Sequence, residues 1–191
     1  LNPDYQDAHN NLGNALKEQG DLNSAILSYQ KALKIKPDFE QAHNNLGNAL
    51  KEKGDLDSAI DSYQHAIKLN PKYHEAHNNL GNALKEKGDL NSAINSYQNA
   101  IKLNPDYEEA HYNLGNALQE TGDPNSAILC LQKALQIKPD FADAHYNLAH
   151  AIFLVGDDYK EAWLQYEYRF KLSKKKTVPH AQPPIPKWQG E

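Results

Sequence analysis

Asparagine is the residue in this chain whose placement suggests chemistry. It stands at Asn10, Asn11 and Asn14, again at Asn44, Asn45 and Asn48, and again at Asn78, Asn79 and Asn82. The series thins to Asn113 and Asn116, then to Asn147. A carboxamide offers two N–H donors and a carbonyl acceptor without net charge. A row of amides can therefore hold the backbone of an extended peptide without reading its side chains. Asparagine is a poorer helix former than lysine or glutamate by a few tenths of a kcal/mol, so three per helix is an odd choice for a merely wetted face. The competing role is structural, with amides capping or bridging neighbouring helices or keeping a groove wet; the two roles are compatible.

Other reactive residues point nowhere catalytic. Of the nine histidines, His9, His43, His77, His111 and His145 recur with one period. Helices pack at ~8–10 Å, whereas a metal needs its ligands ~2 Å away, so this row shares no ion and is expected to pack within its own repeats. His74 and His77 offer at most an adventitious metal contact. Cys130 is the only cysteine, which excludes an internal disulfide and a CxxC centre. No nucleophile–base–orienter set and no phosphate loop is present, so no catalytic residue, metal or cofactor is expected. A formal net charge of -5, with both signs interspersed, argues against a nucleic-acid partner. No apolar run reaches membrane-span length, which argues against a membrane. The chain opens on Leu1-Asn2-Pro3 with no signal peptide, and cysteine poverty points to the cytoplasm.

The elements that must position the amides follow from a 34-residue period. Pro3, Pro37, Pro71, Pro105 and Pro139 keep it, as do Gly20, Gly54, Gly88, Gly122 and Gly156. Ala42–Leu56 recurs letter for letter as Ala76–Leu90. Each unit reads as two helices. In the first unit, one is expected from about Gln6 to Gln19, ended by Gly20 in a left-handed conformation. Asp21 caps the second, expected to about Lys34, and Pro37 stops it. Ala8, Leu12, Ala15 and Leu16 share one face of the first helix; Ala25, Ile26, Tyr29, Ala32 and Leu33 share one of the second. One hairpin cannot bury both faces, so the units must stack. Opposite the core, Asp7, Asn10, Asn11, Asn14 and Glu18 fall within an arc of roughly 100°. Toward the C-terminus Tyr112, Tyr146, His150 and Leu154 enter this stripe, with Phe153 beside them. They read as an aromatic-apolar end that either anchors a ligand side chain or packs against the last helix.

The pattern Asn11-Leu12-Gly13-Asn14-Ala15-Leu16, Gly20-Asp21, Ala25, Tyr29, Ala32, Pro37 resembles the tetratricopeptide repeat. The resemblance implies an all-α, right-handed superhelical solenoid whose first helices line a concave groove. The layout is then a preceding-repeat tail at 1–5, four repeats over 6–141 and a degenerate fifth over 142–173. In the fifth, Ala149 replaces the glycine, a residue is inserted near Asp157-Asp158, and Arg169 replaces an alanine. A basic, proline-rich linker follows over 174–191, leading toward a further domain. The asparagines resemble those of O-linked N-acetylglucosamine transferase repeats, which implies that Asn11, Asn45, Asn79, Asn113 and Asn147 hold peptide backbone. Carboxylate-clamp repeats need Lys or Arg on this stripe; Asp7, Glu75, Glu109 and Asp143 stand there instead. Residues 159–170 and Pro186-Lys187-Trp188-Gln189-Gly190 resemble the junction of bacterial proteins in which such an array precedes a glycosyltransferase-like domain. The expected function is a protein-interaction scaffold for an extended peptide or partner segment. The alternatives are the substrate-recruiting arm of a glycosyltransferase and a self-associating module; Trp188 is a further candidate for contact with the groove.

Overall fold

The computed structural model describes residues 5–156 and 159–173, with side chains through residue 168. Its ten helices are α1 (Tyr5–Glu18), α2 (Leu22–Ile35), α3 (Glu40–Glu52), α4 (Leu56–Leu69), α5 (His74–Glu86), α6 (Leu90–Leu103), α7 (Glu108–Glu120), α8 (Pro124–Ile137), α9 (Ala142–Val155) and α10 (Tyr159–Ser173). Each helix packs on its neighbours in sequence, making five hairpins in a row. The first helices of successive hairpins also touch (α1 with α3, α3 with α5, and onward), whereas second helices do not touch each other among the described residues. A stack that is closer along one side than the other must bend toward it, so the first helices lie on the inner side of a solenoid.

Local chemistry sets the helix ends within a residue of expectation. Gly20 has φ 82 and Gly54 φ 89. At the first of these turns the Gly20 N–H donates to Lys17 O and the Asp21 N–H to Leu16 O, each at 2.9 Å, a Schellman pair that closes the last turn. Asp21, Asp55, Asp89 and Asp123 then accept from the backbone N–H of Ser24, Ser58, Ser92 and Ser126 at 3.0–3.2 Å. Hydrogen bonding from the side chains of Ser24, Ser92 and Ser126, and then from their backbone N–H groups, holds the Asp21, Asp89 and Asp123 carboxyls below the ordinary carboxylate range.

The first helices of the second to fifth hairpins have no side-chain cap; Phe39, Tyr73, Tyr107 and Phe141 occupy the cap position. The periodic histidines organise these entries. The Nε2 of His43, His77, His111 and His145 bonds the carbonyl of Pro37, Pro71, Pro105 and Pro139 at 2.9–3.1 Å. That contact ties the turn to the helix it opens.

The core runs through the stack. Tyr29, Tyr63 and Tyr97 are fully buried, and each ring lies against the glycine of its own first helix. A Cβ on Gly13, Gly47 or Gly81 would sit 2.5–2.6 Å from the ring, so only glycine fits. In the fourth hairpin Leu131 takes the tyrosine's place against Gly115. In the fifth, Ala149 is buried, and Tyr166 meets the rings of Tyr146 and Trp163. One expectation fails in the first hairpin. Ala8, Leu12 and Ala15, read as core, are exposed, because that face is completed by the second helix of a preceding hairpin and no such helix lies before α1 among the described residues. The expected linker, including Trp188, lies outside the described residues.

Candidate functional site

The amides of the first helices fall into two sets with different surroundings. Asn10, Asn44 and Asn78 are 8%, 5% and 4% exposed, in the seam between successive first helices. Their Oδ1 atoms accept from Nδ2 of Asn45, Asn79 and Asn113 at 3.1, 3.0 and 3.0 Å. The arc drawn opposite the core therefore needs correction at Asn10, Asn44 and Asn78. These three face the next repeat because the bend brings first helices into contact along that edge. Asn45, Asn79 and Asn113 are half-buried and Asn11 is exposed.

Asn14, Asn48 and Asn82 form the second set. Each Oδ1 accepts the hydroxyl of Tyr29, Tyr63 or Tyr97 at 2.7–2.8 Å. The tyrosine rises from the core through its hairpin and fixes the amide from below. Burial, aided by the Glu18 charge, pushes the Tyr29 hydroxyl up to about 12. Burial raises Tyr63 and Tyr97 as well, with Glu86 adding to both and Glu120 to Tyr97. All three therefore remain donors at any ordinary pH. With each Oδ1 so engaged, the amide nitrogens of Asn14, Asn48 and Asn82 make no protein hydrogen bond among the described residues, and neither do the oxygens of Asn45, Asn79 and Asn113. The second and third repeats thus each retain a donor and an acceptor, both held in place.

Ion pairs flank the amides. Lys51 meets Glu86 at 3.2 Å and Lys85 meets Glu120 at 2.8 Å, each joining one first helix to the next. Lys51, Asn82, Lys85, Glu86, Asn113 and Glu120 line a depression of about 450 Å³. The pairs are partly exposed and contribute little stability, but they cancel the local charge and leave the floor polar and near neutral.

The C-terminal end is built differently. Leu131 supplies no hydroxyl, and Asn116 Oδ1 instead accepts from Asn147 Nδ2 at 2.6 Å. The same nitrogen lies 3.2 Å from the Tyr112 hydroxyl. The Tyr112 ring packs on Phe141 at 4.7 Å and against the core, and the Phe153 ring packs on Trp163 at 5.4 Å. Tyr146 is 43% and Leu154 57% exposed, and His150 Nδ1 meets Gln119 Nε2 at 2.5 Å. Of the expected aromatic-apolar end, Tyr112 and Phe153 are thus packing residues, while Tyr146, His150 and Leu154 stay accessible.

Sequence reasoning missed the tyrosine–asparagine bond and the histidine–proline bond. The signal for the first was a constant offset of 15 residues between Asn14 and Tyr29, Asn48 and Tyr63, and Asn82 and Tyr97.

Fold and inner face together define a helical-repeat binding scaffold. A tetratricopeptide-type family model, described as "TPR repeat", matches residues 13–54, 47–88 and 81–122, and a second, "Tetratricopeptide repeat", matches 108–141. The chain belongs to the tetratricopeptide repeat family. Among solved structures it is similar to MamA, with 30% identity, TM-score 0.77, and coverage of 86% of this chain and 95% of that one. It is also similar to PilF of Pseudomonas aeruginosa, with 22% identity and TM-score 0.82 over 88% and 77% of the two chains. YrrB, titled a TPR protein with an unusual peptide-binding site, matches at 22% identity and TM-score 0.69 over 86% and 84%. A comparison with curated protein sequences found no match. Among the described residues, no helix is long and apolar enough to cross a membrane.

Proposed function

We propose that the chain is a protein-interaction scaffold whose inner face holds an extended partner segment through its asparagine amides. The observation that carries this is the pair of restrained, unmatched groups in the second and third repeats. The Nδ2 of Asn48 and Asn82 offers donors, and the Oδ1 of Asn45, Asn79 and Asn113 offers acceptors, beside a polar depression of about 450 Å³. An extended backbone presents the complementary carbonyls and N–H groups. Fixed amides bind it without first losing rotamer entropy. Tyr146, His150 and Leu154 supply an accessible aromatic-apolar end, suited to one anchoring side chain. YrrB, a peptide-binding relative in fold, is consistent with this reading. The segment acts by binding rather than by catalysis, and such recognition suits a scaffold and the recruiting arm of a larger enzyme equally.

The test separates the ligand-facing from the structural half of each amide. In Asn48→Asp and Asn82→Asp the oxygen that accepts from Tyr63 or Tyr97 remains, while the outward donors are lost. A peptide selected against the native chain from a random displayed library should bind the double variant at least tenfold more weakly by calorimetry, with the melting temperature nearly unchanged. Equal affinity in the two proteins sinks the reading.

A further inference from the structure

We infer that the partner segment lies along the inner face as a left-handed polyproline-II helix and offers its backbone to the protein once every third residue. This rests on the scaffold reading above and adds the conformation and composition of the segment. The unmatched groups of the inner face recur with the same geometry from one first helix to the next. Asn45, Asn79 and Asn113 donate to the preceding helix at 3.1, 3.0 and 3.0 Å, and their Oδ1 atoms take no bond among the described residues. Asn14, Asn48 and Asn82 accept from a buried tyrosine at 2.7, 2.8 and 2.8 Å, and their Nδ2 atoms likewise take none. The series ends at α7, where Asn116 Oδ1 is taken by Asn147 Nδ2 instead of a tyrosine hydroxyl.

The step of this ladder selects the backbone that fits it. Successive first helices are in contact, which sets their axes ~8–10 Å apart. A β-strand advances ~6.6 Å between residues on one face and turns opposite faces to the protein at i and i+3. Two strand residues per repeat therefore fall short by roughly 1–3 Å at every step, and three present the wrong side. An α-helix keeps its own N–H and C=O groups engaged. A polyproline-II segment rises ~3.1 Å per residue with three residues per turn, so that i, i+3 and i+6 share a face at ~9 Å intervals. It makes no internal hydrogen bonds, which leaves the backbone along that face available to the amides. In this register the N–H groups of i, i+3 and i+6 meet Oδ1 of Asn45, Asn79 and Asn113. Carbonyls with the same spacing meet Nδ2 of Asn14, Asn48 and Asn82.

A spacing rule for proline follows. Proline favours this conformation but has no N–H. It is accepted at the two places of each triplet that face away from the Oδ1 row and rejected at the third. A segment already stiff, meeting amides already fixed, loses little freedom on binding. The partner chemistry is thus a proline-rich segment with a non-proline residue at every third place.

Three acetylated and amidated dodecapeptides provide the test: four Ala-Pro-Pro units, six Ala-Pro units, and proline throughout. Circular dichroism confirms the polyproline-II form of each. Binding to the 191-residue chain is read from the side-chain amide NMR signals of Asn48 and Asn82 during titration. The first peptide offers an N–H to all three Oδ1 acceptors. The second matches Asn45 and Asn113 with a proline ring against Asn79, and the third matches none. Dissociation constants should rise in that order, at least threefold at the first step and tenfold over both. Asn79→Ala, checked for folding by circular dichroism, removes the middle acceptor and should erase the advantage of the first peptide over the second. Equal binding of the three peptides, or no saturable shift with any of them, overturns the proposal. If the library-selected peptide still loses affinity in the Asn48→Asp, Asn82→Asp protein, only the conformation assigned here falls; if it loses none, the scaffold reading falls as well.

Discussion

Tyr63 links core and inner face. Its ring lies where a Cβ on Gly47 would come within 2.6 Å, and its hydroxyl reaches Asn48 at 2.8 Å. Tyr63→Phe keeps the packing and removes the donor. The part-buried amide oxygen is then unsatisfied, at a cost of about 1–3 kcal/mol, measurable by urea unfolding. Gly47→Ala forces the ring aside and should cost about 1–3 kcal/mol by overpacking. An effect below half a kcal/mol would mean that the ring shifts freely. The tyrosines also set an alkaline limit. Their folded-state pKa values lie above the unfolded value, so the stability that this confers is complete below pH 10 and is lost as pH rises toward the folded values, about 12 for Tyr29. Melting temperature should fall across that window, and less steeply once Tyr29, Tyr63 and Tyr97 are Phe. The asparagines were legible as a stripe, but which of two adjacent amides is buried between first helices was not. Asn44 and Asn45 sit one residue apart, and the contact between α3 and its neighbours along the bend decides between them.

At the scale of the element, helix ends were the most readable feature, since glycine, aspartate and proline each act through local geometry. Gly54 shows this in isolation. Its φ is 89, and a Cβ there would meet nothing within 4 Å. Gly54→Ala should therefore cost about 1–2 kcal/mol from backbone strain alone, with no change in packing; a neutral result in thermal unfolding would place the turn's stability elsewhere. The exposure of α1 was not readable. Ala8, Leu12 and Ala15 repeat the letters of buried residues, and periodicity tells which face is apolar but not what covers it. The histidine–proline bond was hidden for a related reason. The period gave one histidine per repeat and an expectation of packing, while its partner is a backbone carbonyl, which leaves no mark in composition.

For the whole molecule, the 34-residue period carried nearly everything: helix count, pairing, stacking and the degenerate last hairpin. The solenoid follows because each hairpin exposes two apolar faces and the next hairpin covers one. Stability in such a stack is a sum of repeat and neighbour contributions. Protection from hydrogen exchange should peak in α4, α5 and α6, which are covered on both sides, and be lowest in α1. Uniform protection from α1 to α9 would indicate a single cooperative unit.

Asn45 donates to Asn10, Asn79 to Asn44 and Asn113 to Asn78. Every one of these bonds runs back toward the amino-terminal neighbour, so the row carries an arrow. For the partner segment proposed above, a backbone running with the arrow meets one order of groups and a backbone running against it meets another, so the row distinguishes the two chain directions rather than two side-chain sequences.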